Sequence, residues 1–369
     1  MPKFLLLILF FTFTGKSQEE FKSAESCGEC HQDIYQQWQS SLHARSTTQK
    51  DPLFQGMYDL AIADTDGKLT EKCIVCHSPM ATVFKDNDRE AVFNKDGVTC
   101  QFCHGATEIV AYHSARDMKI DLTTLYSDQP ELENTAHPVA HRDYFFRSEF
   151  CLPCHAEMKN PVEIEVCSTG NEWREYLKQT GKNCQDCHLL NQDGKVSHLF
   201  RGSHQTDIPS GAVEMELAYN TDTQELMISL TNTGAGHAIP TGTPLRMVYL
   251  KITAFDSSEK IIWQNWRENP VTEDRGGVFM RLLGDNQGNA PVPPWKATQI
   301  IYEQRLLPGK LVNKRYLLPE QGVYEVEVKL IYRFAPRAVL DRLGITDPHL
   351  NSERILAQQS MRPGSEAGE

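Results

Sequence analysis

From residue 212 onward the chain alternates polar and apolar positions in runs of strand length: residues 212–219, 226–230, 247–255, 261–266, 299–306 and 323–332. Turn formers punctuate these runs, among them Asn220, Asp256 and the Pro308-Gly309 pair. Six or seven such strands within about 125 residues predict an antiparallel β-sandwich of immunoglobulin-like type. The preceding half has a different pattern. It holds short helical stretches, residues 33–47 and 172–180, separated by loops, with little alternation. Its aliphatic content is too low for a large conventional core. The first residues differ again: Lys3, an apolar run over 4–13, then Gly15, Ser17 and Gln18. That order reads as a secretory signal peptide cleaved after Ser17, with an uncleaved anchor as the alternative. The run is too short to span a bilayer as a permanent helix. No cysteine follows it closely enough for lipid attachment.

The resulting layout is a leader over 1–17, a helical and loop-rich domain over 18–208, a sandwich domain over 211–335, and a short helix with a polar tail over 336–369. Composition sharpens the boundary. All 11 cysteines and all but two of the 13 histidines precede residue 208, and Pro209, Ser210 and Gly211 form a turn-rich linker. The net charge of -12 disfavours nucleic acid and anionic membrane surfaces as partners, since both select a basic face. A redox partner with a basic docking patch is compatible with it.

Ten of the cysteines fall into five C-x-x-C-H motifs: Cys27/Cys30/His31, Cys73/Cys76/His77, Cys100/Cys103/His104, Cys151/Cys154/His155 and Cys184/Cys187/His188. Each is a haem c attachment signature. Two thiols at that spacing add to the two vinyl groups of one porphyrin, and the adjacent imidazole becomes an axial ligand to its iron. Random placement of these residues would give roughly a hundredth of one such motif. Paired C-x-x-C elements also build zinc sites, but an odd number of pairs, a histidine after each and an export signal disfavour that chemistry. A disulfide framework would not require the histidines. Five covalent haems would also supply the apolar bulk the first domain lacks, leaving it unfolded without them.

Whether such a protein is a wire or an enzyme depends on the sixth position of each iron. Eight histidines lie outside the motifs: His43, His113, His137, His141, His198, His204, His237 and His349. The first seven are candidate distal ligands, and His349, beside Pro348, is expected at the surface. His43 lies 12 residues after His31 on what reads as one helix, about 18 Å along its axis, so it is expected to serve a different haem. At least one of His198 and His204 is expected to be a ligand, while His137 and His141 are not distinguished. His237 lies in the strand domain within Gly236-His237-Ala238-Ile239-Pro240-Thr241-Gly242, a loop suited to hold an imidazole rigidly and lock the domains together. Cys167, the leftover thiol, reads as an inert structural cysteine.

The haem half resembles the multihaem cytochromes of the cytochrome c-554 and hydroxylamine-oxidoreductase-like superfamily. The similarity rests on Trp38-Gln39-Ser40-Ser41-Leu42-His43-Ala44, on Ser148-Glu149-Phe150 before the fourth motif and Asn160-Pro161 after it, and on Glu172-Trp173 leading to Gly181-Lys182-Asn183-Cys184. The segment 197–204 resembles the family's segment after its final motif, and the loop over 236–242 resembles one in related cytochromes with a C-terminal sandwich. The resemblance implies distal roles for His43 and for His198 or His204, with closely packed porphyrins. The chain has no C-x-x-C-K motif of the kind that marks pentahaem nitrite reductases. No tyrosine can be assigned the porphyrin cross-link of hydroxylamine oxidoreductase. The expected function is therefore a periplasmic or extracellular electron carrier, working between redox partner proteins and compatible with a membrane-associated electron-transfer complex. The alternative is an oxidoreductase acting on a small nitrogen or sulfur compound at one five-coordinate haem. A third reading makes the strand domain an interaction module.

Overall fold

The computed structural model describes residues 20–129, 135–189, 196–202 and 211–363. The leader, His204 and the Pro209-Ser210 part of the linker lie outside the described residues.

The first half is built from short helices: α1 (Ala24–Gly28), α2 (Gln32–Ser40), α3 (Pro52–Thr65), α4 (Thr70–His77), α5 (Met80–Phe84), α6 (Val92–Lys95), α7 (Cys100–His104), α8 (Leu152–His155), α9 (Thr169–Thr180) and α10 (Cys184–His188). The long helix expected over 33–47 stops at Ser40, because Ser41 turns extended and buried. His31 and His43 therefore do not share a helix, and an 18 Å axial separation does not apply. The most regular helix, α3, starts where it should: Asp51 accepts hydrogen bonds from the Leu53 and Phe54 amides, and Pro52 takes the first helical position. Six short strands also appear where the sequence showed none: β1 (Ala106–Ile109), β2 (Met118–Ile120), β3 (Leu125–Ser127), β4 (Val139–His141), β5 (Met158–Lys159) and β6 (Glu165–Cys167). Each is two to four residues long, too short for alternation to be read, and they pair two by two.

The second half is an antiparallel β-sandwich. One sheet orders β12 (Gln299–Gln304), β11 (Val278–Gly284), β9 (Met247–Phe255), β14 (Glu325–Arg333) and β15 (Arg354–Met361), with β10 (Ile261–Gln264) also paired to β9. The other orders β13 (Leu311–Leu317), β8 (Glu225–Asn232) and β7 (Val213–Asn220). Side chains of period two from both sheets fill one core: Leu226, Ile228 and Leu230 meet Leu250, Ile252 and Val328. The expected polar tail is corrected here. After a short helix, Arg337–Arg342, the chain returns as β15 and pairs with β14 from Val326 to Tyr332. Its polar positions, Gln358, Gln359 and Ser360, lie at exposed sites of an edge strand, which hid it from the hydrophobic pattern. His349, expected to be solvent-exposed, is half-buried. Its ring lies 5.4 Å from that of Phe334 and within 3.1 Å of the Arg354 guanidinium.

The halves are docked through side chains of both. Leu53 of α3 is part of the sandwich core, and a Cβ on Gly56 would stand 3.1 Å from Leu343. Asn160 donates to the Pro294 and Ala297 carbonyls at 2.9 and 2.7 Å. Asp64 accepts from Trp295 and Lys296 at 2.9 and 2.6 Å. Among the described residues no helix is long and apolar enough to cross a membrane.

Candidate haem sites

Each C-x-x-C-H motif winds into a helical turn, so positions i, i+3 and i+4 share one face. In the first and fourth motifs the histidine amide donates to the carbonyl of the first cysteine, His31 to Cys27 at 3.0 Å and His155 to Cys151 at 3.1 Å. Two motifs use their own interior residue as an anchor. Buried Gln101 donates to the Glu20 and Leu122 carbonyls, and buried Gln185 donates to those of Phe145 and Arg147. Trp173 of α9 donates its indole N–H to the Lys182 carbonyl at 3.0 Å, and the Cys184 amide donates to Ser148 Oγ at 2.8 Å.

Four motif histidines face a second imidazole. Ring centres are 6.3 Å apart for His31 and His137, and 6.2 Å apart for His43 and His155, His104 and His198, and His188 and His237. The test for a cofactor is whether this spacing suits an iron. With metal–imidazole bonds of about 2 Å, and each nitrogen about 1 Å from its ring centre, two rings on one metal stand roughly 6 Å apart. The donor set and its spacing fit haem.

Protonation supports the same use. His77, His104 and His237 each place Nδ1 against a backbone carbonyl, those of Ser46, Tyr126 and Ala238, at 3.0, 2.8 and 3.0 Å, and His188 does so with Arg201. A carbonyl only accepts, so Nδ1 holds the proton and Nε2 keeps its lone pair for a metal. Burial pushes the pKa of His198 and His237 down to about 4 and lowers those of His77 and His104. His155 is exposed as a residue, yet protein atoms crowd its ring closely enough to desolvate its charged form and bring it to about 4 as well. These rings are neutral, the ligating form, at ordinary pH.

The remaining candidates are placed differently. His113 is almost fully exposed and pairs with Asp117 at 3.3 Å. His141 is exposed at the end of β4. Neither stands opposite a motif histidine, while His137, which spacing could not separate from His141, does. Against His77 lies Phe54, stacked at 3.7 Å and 7°. Among the described residues no second imidazole faces His77. Cys167 is half-buried, its sulfur 3.6 Å from Thr169 Oγ1.

Cysteines of different motifs are neighbours: Cys27 lies beside Cys100, Cys76 beside Cys154, and Cys151 beside Cys184. These neighbours join the first motif to the third, and the fourth motif to both the second and the fifth. Cys30 differs in exposure from Cys27 of the same motif. Its side chain is exposed, as is that of Cys187, while the other eight motif cysteines are half-buried. The physical reason is local: Cys30 lies in the surface turn between α1 and α2, where its neighbours Glu29 and His31 are exposed as well.

Two close backbone approaches hold the facing histidines. Gly97, at φ +71°, lies where an added Cβ would collide with the His43 carbonyl oxygen. That carbonyl accepts from the Val98 amide at 3.0 Å. Left-handed backbone costs a side chain about 1–2 kcal/mol even without the clash. A Gly97→Ala protein is expected to melt at lower temperature and to show an altered spectrum for the haem at the fourth motif. A melt and spectrum equal to the native ones would refute the assignment of His43 to that site. The second approach is Gly236, whose Cβ would meet the Tyr176 ring of α9 at 2.6 Å.

Sequence reasoning missed what holds the His237 loop. Glu172 accepts hydrogen bonds from the Ala238 amide, Thr241 Oγ1 and Ser168 Oγ at 3.0, 2.9 and 2.7 Å, and pairs with Arg305 at 2.7 Å. Burial works to raise its pKa, but the Arg305 guanidinium and these donors outweigh it and leave the carboxyl below its usual range. The only signal in the sequence was Glu172-Trp173 as part of a family likeness.

Comparison with known proteins agrees with this geometry. The family described as cytochrome c554 and c-prime matches residues 26–105, the stretch holding the first three motifs. The structure of a penta-haem cytochrome c552 from Thermochromatium tepidum is similar over 93% of this chain and 99% of that one, at 25% identity and a TM-score of 0.82. No curated protein matches the chain. The chain is a multihaem c-type cytochrome, a helical haem domain followed by an antiparallel sandwich, with covalently bound haem c. Proteins of this class pass electrons to redox partners.

Proposed function

We propose that the chain carries five haems, one on each C-x-x-C-H motif, and moves electrons between redox partner proteins in the periplasm or outside the cell. The observation that carries this reading is the set of four opposed imidazole pairs at iron-spanning distance. In it, His137, His43, His198 and His237 close the irons whose motif histidines are His31, His155, His104 and His188. Haem, when bound, supplies a one-electron couple at its iron. The protein keeps His77, His104, His155, His198 and His237 neutral, fixes the rings of His77, His104, His188 and His237 through backbone carbonyls, and sets cysteines of different motifs side by side. Closed irons and neighbouring motifs favour conduction over substrate binding. The acidic surface, with a net charge of -12, suits a partner presenting a basic patch, including one within a membrane-bound complex.

Electron paramagnetic resonance of the oxidised holoprotein tests this. Low-spin signals from four closed irons are expected, together with a holoprotein mass equal to the polypeptide plus five haems. Two or more high-spin irons would overturn the ligand set.

The runner-up, an oxidoreductase acting on a small nitrogen or sulfur compound at one five-coordinate haem, is favoured by one specific observation. His77 has Phe54 beside it and no described imidazole opposite. Carbon monoxide binding at a single haem of the reduced protein, together with turnover of nitrite, hydroxylamine, tetrathionate or sulfite, would establish it in place of pure conduction.

A further inference from the structure

The imidazole that faces the fifth motif comes from the other half of the molecule, so its position depends on what holds two independently built elements together. Three contacts converge on His237. The peptide bond after it is held at both polar ends: Asn232 Nδ2 donates to the His237 carbonyl at 2.8 Å, and the Ala238 amide donates to Glu172 Oε2 at 3.0 Å. The ring is fixed by Nδ1 donating to the Ala238 carbonyl at 3.0 Å. Of the groups gripping this peptide, Glu172 is the one belonging to the haem half, on α9, the helix that leads into Cys184.

The carboxylate is itself fixed. Glu172 and Arg305 side chains are 10% and 8% exposed and bonded at 2.7 Å. From Arg305 the charges alternate across the interface: Arg305 to Glu303 at 2.5 Å, Glu303 to Arg281 at 2.5 Å, and Arg281 to Glu165 at 2.8 Å. Both ends of this ladder lie in the haem half and its middle lies on β11, β12 and the residue following β12. A buried pair of this kind is weak evidence for stability, because desolvation cancels much of the attraction. It does fix geometry, since removing either partner leaves the other charged and unpaired.

We propose that Glu172 is the positioning residue for His237, setting the sandwich-borne imidazole in register with the iron of the haem that Cys184, Cys187 and His188 would hold. Arg305 keeps the carboxylate aimed at the Ala238 amide and Thr241. The inference rests on the reading that His237 ligates that haem.

The test compares holoproteins of Glu172→Gln, Glu172→Ala and, as a separate control, His237→Ala, by resonance spectroscopy and by carbon monoxide binding to the reduced form. Loss of an outer partner of a metal-bound histidine typically weakens the hold by about tenfold to a hundredfold. Glu172→Gln is expected to accelerate carbon monoxide entry at one haem by about that factor and to broaden one low-spin signal while the others persist. Glu172→Ala should do more, and Glu303→Gln, two links away, should do neither. If His237→Ala opens an iron but neither Glu172 variant changes that haem, this inference fails and the ligand assignment stands. If His237→Ala leaves the spin state unchanged, the ligand assignment itself fails. The unaffected haem signals report folding in every sample, and Glu172→Gln, which preserves shape, carries the test if the alanine variant does not fold.

Discussion

A His237→Ala holoprotein will hold one haem whose iron has lost its sixth ligand, visible as a new high-spin signal and as carbon monoxide binding that the native fifth haem does not show. His237 and His188 rings stand 6.2 Å apart and within 13° of parallel, and both have Nδ1 committed to a backbone carbonyl. Alanine removes the only described imidazole facing that motif histidine and leaves a site shaped for imidazole. Added free imidazole is therefore expected to restore the low-spin spectrum. Fold loss is not the expected outcome. The sandwich core beneath the loop, including Leu306 and Leu230, does not use the ring, and Asn232 still grips the loop through the backbone carbonyl of residue 237 and that of Leu306. An unchanged spin count in this variant would remove the cross-domain ligand from the account.

Part of this arrangement was legible in the sequence because it is local. A C-x-x-C-H run forms a helical turn by itself, and β9 matches its alternating run, residues 247–255, at both ends. Elements read only through alternation were lost where alternation fails. All seven residues of β11 are buried, so no polar face marks it, while β15 is exposed on its polar residues and read as a tail. The over-long helix through His43 came from treating residues 33–47 as one period, whereas buried Ser41 ends it. A motif names its thiols but not their depth: Cys27 and Cys30 belong to one signature, yet the first is half-buried against Cys100 and the second is exposed. The pairing of histidines is likewise a tertiary fact. Nothing near His137 and His141 in the chain says that only the former reaches His31, and Glu172 lies 66 residues from the amide it holds.

The largest effect of all is expected from withholding haem. The two halves differ sharply in what holds them without it. Among the described residues the sandwich cluster gathers 24 buried apolar residues, Leu53 of the haem half included, whereas the largest cluster in the haem half gathers seven, Val75, Met80, Phe93, Phe102, Ala106, Ala115 and Met118. Burying one large apolar side chain contributes about 1.5–3 kcal/mol, against about 1–2 kcal/mol of backbone entropy for each ordered residue. A cluster of seven cannot order a segment of short helices and loops on those terms, but haems bonded covalently to it can. The chain made without haem attachment should keep the β-sheet circular dichroism of its second half and lose its helical signal. Limited proteolysis should digest the first half and leave a resistant fragment covering the sandwich strands from β7 to β15. Leu53 of the haem half is buried in the sandwich core, so that fragment should be somewhat less stable than the sandwich in the holoprotein. A haem-free chain that resists protease along its whole length would show that the polypeptide alone carries the fold, and would sink the idea that the cofactors are the core of the first half.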